Sequence, residues 1–127
     1  MTRVPLPKVA FVPGLTPRPP ESWLDSRLAE IVPANPAETL GCPAFRFGFD
    51  LYHAGFFWEA HEVWERLWQV ARRDPARKIE ATALQTLILI TACELHLRMG
   101  NPPGADRLAK KAWARANPAP ESPRDEK

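Results

Sequence analysis

The stretch 57-FWEAHEVWERLW-68 decides the fold. On a helical wheel at about 100° per residue, Phe57, Trp64 and Trp68 fall together, with Ala60, Leu67 and Ala71 beside them. This is the apolar stripe of an amphipathic helix. His61 lies about 40° from Phe57, inside the stripe, and Glu65 about 80° from it, on the edge. Glu59, Glu62 and Arg66 point away, so Glu59 and Glu62 are expected in solvent, with Glu62–Arg66 a favourable i,i+4 pair. His61 and Glu65 are the pair that needs explaining. An imidazole in a core must be hydrogen-bonded or it costs ~1–3 kcal/mol, and Glu65, one turn on, can supply the bond.

Proline sets the limits of the other elements. Nine of the fifteen prolines lie in residues 1–43 and five in 102–123, leaving Pro75 alone between them. Because proline lacks an N–H and clashes with the preceding turn, long helices are confined to 44–74 and 76–101. Residues 57–73 are expected to form one helix and 76–99 another. The second is apolar almost all round, which predicts a central, buried helix. Gly100-Asn101 closes it, and Pro102-Pro103 open a last helix running to about Ala116. Residues 44–54 alternate Phe45, Phe47, Phe49 and Leu51 like a strand, but an isolated strand is unstable, so a helix is predicted there, followed by a turn at Gly55. Leu24, Leu28, Ile31 and Val32 give 21–32 a short amphipathic helix. Residues 1–20 read as an extended proline-rich arm, with Val9, Phe11, Val12 and Leu15 partly laid on the core. The tail 117–127 has no apolar residues to bury and is expected to be disordered. The fold class is therefore all-α: a small bundle of about five helices, with one helical domain over 21–116.

The chain has 127 residues, enough for one core. A net charge of +2 implies neither a nucleic-acid nor a membrane partner. Cys42 and Cys93 have no metal-finger spacing and read as free thiols, which together with the lack of a signal-peptide pattern points to the cytoplasm.

Several chemistries compete for the polar residues. In 61-HEVWE-65 a glutamate stands where a zinc peptidase motif requires its second histidine. The spacing in 59-EAH-61 and 94-ELH-96 is not the ExxH of a di-iron bundle. Gln85 and His96 share a side of their helix, while Glu80, Thr91, Glu94 and Arg98 form a second polar stripe. Antiparallel packing of the two long helices would bring His61 and His96 into one layer. A mononuclear metal site from His61, Glu65 and His96 is then geometrically open. The competing reading is a buried His-Glu hydrogen-bonded clamp that fixes helix register. Cys93, mid-helix among apolar residues, reads as inert. The arginines and lysines at 66–78 and 107–115 read as solvated faces. Nine of the twelve aromatics fall within 45–68; any left exposed would mark a dimer interface or a pocket.

The runs 49-FDLYHAGFFWEAHEVWERLW-68 and 84-LQTLILITACELHLRMGNPPGADRL-108 resemble the prokaryotic family known as domain of unknown function 309. The resemblance covers about residues 45–115. It implies a small all-helical bundle and no activity. The family signature falls on Glu59, His61, Glu62, Glu65, Trp68, Gln85, His96, Asn101 and Gly104. Thr86 departs from the glycine of many members, which puts a tight backbone approach at that level in doubt.

The leading expectation is a non-catalytic binding or scaffold module with a polar centre of His61, Glu65, Gln85 and His96, and no cofactor. A hydrolase-like metal enzyme, with His61, Glu65 and His96 as ligands and Glu62 as general base, is the alternative. A homodimeric structural protein is the third reading.

Overall fold

The computed structural model describes residues 10–17 and 21–117. Five α-helices follow in order: α1 (Glu21–Leu28), α2 (Pro43–His53), α3 (Phe57–Ala71), α4 (Lys78–Arg98) and α5 (Pro102–Ala116). Short 3-10 turns occupy Pro36–Glu38 and Pro75–Arg77, and no strand occurs among the described residues. The protein is all-α, and none of these helices is long and apolar enough to cross a membrane. Residues 1–9 and 18–20 of the arm and 118–127 of the predicted disordered tail lie outside the described residues.

Proline and glycine act as punctuation, as their chemistry requires. Pro36, Pro43, Pro75 and Pro102 each stand in the first turn of a helical element, where the missing N–H would have had no partner. α2 and α4 end in the same way. Gly55 (φ 89°) and Gly100 (φ 77°) adopt the left-handed conformation just past the helix. The next amide reaches back, Phe56 N–H to Leu51 O at 2.8 Å and Asn101 N–H to His96 O at 2.8 Å. The alternating phenylalanines of 45–51 settle as helix, with Ala44, Phe47, Gly48 and Leu51 buried. α1 stops at Leu28, short of the predicted Val32. The chain there is carried on by turns, in which Ile31 and Val32 amides bond to Leu28 O at 3.1 and 2.9 Å.

The helices pack in the order α2, α3, α4, α5, each against its neighbours. α3 and α4 are thus the two inner elements, and α3 carries more of the buried residues. It buries Ala60, Val63, Trp64, Leu67, Val70 and Ala71, and Leu28, Phe47, Leu51 and Leu84 close the core around it. α4 is central, packed between α3 and α5, as expected, but the expectation that it is buried is corrected. Of its 21 residues only Leu84 and Thr91 are buried. α4 has α3 on one side and α5 on another, and its remaining side is open: Ile79 is 83% exposed and Leu97 53%.

The described part of the arm is not uniformly extended. Phe11 and Val12 are buried, and Leu15 and Thr16 amides turn back to Val12 O at 2.9 and 3.0 Å. Leu15, expected on the core, is 67% exposed.

Candidate functional site

The buried face of α3 is rotated by roughly a quarter turn from the aromatic stripe read from the sequence. It centres on Ala60, Val63 and Leu67, and runs round to Glu59. Two expectations change as a result. His61 lies at the edge of the core and is part-exposed rather than enclosed. Glu59, expected in solvent, is 1% exposed, because the arm covers its side of the helix. Glu59 Oε2 accepts the Phe11 amide at 2.9 Å, and the Phe11 ring meets Trp58 edge to face at 4.9 Å. The other oxygen, Oε1, has no hydrogen-bond partner among the described residues. Burial pushes the Glu59 carboxyl above the usual range, against the opposing pull of the Phe11 and Glu59 backbone amides.

His61 stands between two carboxylates of its own helix. Its Nδ1 is 3.4 Å from Glu62 Oε2 and its Nε2 is 3.8 Å from Glu65 Oε1. One donor atom from each of the three falls within 4.8 Å of the others, the one such grouping among the described residues. Glu62, placed away from His61 by the wheel, reaches it because neighbouring side chains on a helix can lean together. Glu65 continues into a small cavity of about 150 Å³ between α3, α4 and α5, lined by Glu65, Trp68, Gln85, Ile88, Leu89 and Arg115. Glu65, Trp68 and Gln85 thus share one space, and the Arg72 guanidinium covers the Trp68 ring at 4.8 Å.

His96 does not join this group. Its Nδ1 accepts from Asn101 Nδ2 at 2.9 Å, which leaves the proton of the neutral ring on Nε2. Asn101 Oδ1 in turn accepts the Gly104 amide at 3.2 Å and caps α5. A side chain on Gly104 would collide with Asn101 and His96. His96, Asn101 and Gly104 therefore form a corner brace between α4 and α5, and the grouping of donor atoms around His61 takes in Glu62 and Glu65 but not His96. The tight α4–α5 turn draws His96 to its own neighbours, which the antiparallel-layer argument did not weigh.

The second polar stripe of α4 also resolves into separate roles. Thr91 Oγ1 donates to Ile88 O at 2.8 Å, Arg77 pairs with Glu80 at 3.3 Å, and Tyr52 donates to Glu94 Oε2 at 3.1 Å. Burial, followed by the bond to Glu94, holds the Tyr52 phenol above its ordinary range.

Two further concavities lie among the described residues. One of about 530 Å³ is walled by residues 30–43 in the link between α1 and α2 and takes nothing from α3, α4 or α5. The other, about 360 Å³, is a cleft between α4 and α5, floored by Ile90, Cys93, Ala109 and Ala112, with Leu97 and Trp113 on its walls. Trp113 is 71% exposed. Thr86, also in the cleft, spends its hydroxyl on Thr82 O at 2.9 Å, so it adds no unpaired polar group there. Burial raises the Cys93 thiol above its usual value, in keeping with an unreactive sulfur.

A family model described as Domain of unknown function (DUF309) matches residues 45–108. A search of curated proteins and a search of solved structures each return no match. The matched span runs from α2 into α5 and includes His61, Glu62, Glu65, Gln85, His96, Asn101 and Gly104.

Proposed function

We propose that this chain, which belongs to the DUF309 family, is a non-catalytic binding module of the cytoplasm, with the α4/α5 cleft as its binding surface. The observation that carries this is the state of α4. It is the most continuously apolar helix of the chain, yet only Leu84 and Thr91 are fully buried, most of its other side chains are part-exposed, and Leu97 and, across the cleft, Trp113 stand in solvent. Uncovered apolar surface rimmed by polar groups is the ordinary mark of a docking site. The cleft offers an aliphatic floor, one aromatic wall and a single carboxylate, Glu94, already engaged by Tyr52. Such a lining suits an apolar guest and supplies no activated nucleophile. Titration of the folded chain with an environment-sensitive apolar dye, at protein concentrations in the low range, should show saturable binding. Trp113→Ala and Leu97→Glu, both at exposed positions, should weaken it severalfold with no change in helix content. Absence of saturable binding, or binding indifferent to both substitutions, would overturn the cleft as the docking surface.

A second reading is favoured by His61, Glu62 and Glu65. An imidazole flanked by two carboxylates is a donor set that suits a divalent transition ion. Calorimetric titration with Zn²⁺ and Mn²⁺ separates the readings. A cation site predicts binding that falls at least tenfold in His61→Ala and Glu65→Gln and is unchanged in His96→Ala. Heats no larger than those of buffer for the unaltered chain would remove this reading.

A further inference from the structure

We propose that the small cavity between α3, α4 and α5 binds a zwitterion, an α-amino acid with a short aliphatic side chain. The site is separate from the α4/α5 cleft and stands or falls independently of it. Its lining carries one charge of each sign on different helices, the Glu65 carboxylate from α3 and the Arg115 guanidinium from α5. Both wall the same space, yet they do not form an ion pair with each other. Glu65 meets His61, through Oε1 at 3.8 Å. Arg115 has no ion-pair or hydrogen-bond partner among the described residues. Gln85 from α4 adds an amide to the same wall. It is part-buried in an apolar run, 84-LQTLILI-90, and its side chain also has no hydrogen-bond partner among the described residues. An amide in such a setting is costly unless something supplies its hydrogen bonds.

Charge and size select the guest. A lone anion in this space would meet Glu65, and a lone cation would meet Arg115. A zwitterion answers both at once. The guanidinium takes a carboxylate through two parallel hydrogen bonds, and the Glu65 carboxylate takes the ammonium. Gln85, donor and acceptor together, serves either end. The rest of the lining, Trp68, Ile88 and Leu89, is apolar and suits an aliphatic side chain rather than a third charge. An apolar cavity of about 150 Å³ takes up benzene, a molecule of about six non-hydrogen atoms. This cavity has that volume, which fits alanine and excludes a dipeptide or an aromatic amino acid.

Calorimetric titration of the full chain with L-alanine, in the presence of a chelator, tests this. The chelator removes any contribution from a cation held by His61, Glu62 and Glu65. Saturable binding in the millimolar range or tighter is expected. Propionate, which lacks the ammonium, and ethylamine, which lacks the carboxylate, should bind at least tenfold more weakly. Arg115→Ala, at an exposed position, and Gln85→Leu, which keeps the bulk and removes the amide, should each weaken L-alanine severalfold with unchanged helix content. Glu65→Gln should weaken L-alanine at least tenfold and strengthen propionate, an inversion that a merely structural role would not produce. No saturable binding of L-alanine overturns the proposal, as does propionate or ethylamine binding as tightly, or binding indifferent to Arg115→Ala and Gln85→Leu. Binding that appears only when Zn²⁺ replaces the chelator would seat the ligand on a cation and overturn direct recognition by these side chains. Trp113→Ala, which removes a wall of the cleft, should leave L-alanine binding unchanged, so failure here leaves the dye titration of the cleft untouched.

Discussion

Glu59→Ala is expected to lower folding stability by about 3 kcal/mol, combining the loss of a buried side chain with a Phe11 amide left without its acceptor. Urea denaturation gives the stability, and amide exchange at Phe11 reports release of the arm directly. Glu59→Gln should behave in the opposite sense. Its carbonyl oxygen still accepts from Phe11, and it carries no charge into the core. The pH dependence follows from the raised carboxyl. A group whose folded-state value lies above its unfolded value favours folding at pH below the ordinary carboxylate range, and that contribution is lost as pH rises through the raised value. Glu59→Gln should therefore match the unaltered chain in acid and exceed it in stability near neutrality. A variant that is less stable than the unaltered chain at every pH would show that the ionised carboxylate is favoured in the folded state, against this account.

Gly48→Ala should be the other large effect, and its sign is opposite to that expected from helix propensity. In an exposed helix interior the change to alanine stabilises by roughly 1 kcal/mol. Here a Cβ would fall inside van der Waals contact with Nε1 and Cε2 of Trp64. That ring has little room to yield. It is buried, its Nε1–H donates to Phe45 O at 3.2 Å, and Phe49 packs on it edge to face at 4.8 Å. Overpacking of this kind costs typically 1–3 kcal/mol, and the loss of the indole hydrogen bond places Gly48→Ala toward the upper end. Combining it with Trp64→Phe, which vacates the indole nitrogen, should recover part of the loss. Stability equal to or above that of the unaltered chain for Gly48→Ala alone would mean that α2 and α3 can separate at this level without cost.

The candidate site was legible in part. Glu65, Trp68 and Gln85 line one small cavity, and His61 meets Glu65 at the expected one-turn spacing. His96 was misplaced because its partner, Asn101, comes from the turn that follows it rather than from the facing helix. Glu59 was named by the family signature, but its burial had no signal in the wheel. Its partner is the Phe11 amide, 48 residues earlier, and a wheel of 57–72 has no place for a chain segment that comes in from outside.

What the sequence determined by itself was the number of helices, their class and, α1 apart, their approximate ends. These depend on interactions within a few residues: prolines that start helices, glycines that close α2 and α4, and a 3.6-residue apolar period. The tertiary structure decided which side of each helix is buried. The aromatics of α3 pointed to one face, while the core took the adjoining one, because α2, α4 and the arm converge there. α4 has apolar residues on nearly every side, so its composition could not say which side would stay open. Packing placed α3 and α4 side by side at the centre, gave α3 more of the buried core and left Ile79 and Leu97 of α4 in solvent. Periodicity measures how side chains are spaced along one element, whereas burial depends on what other elements bring against it.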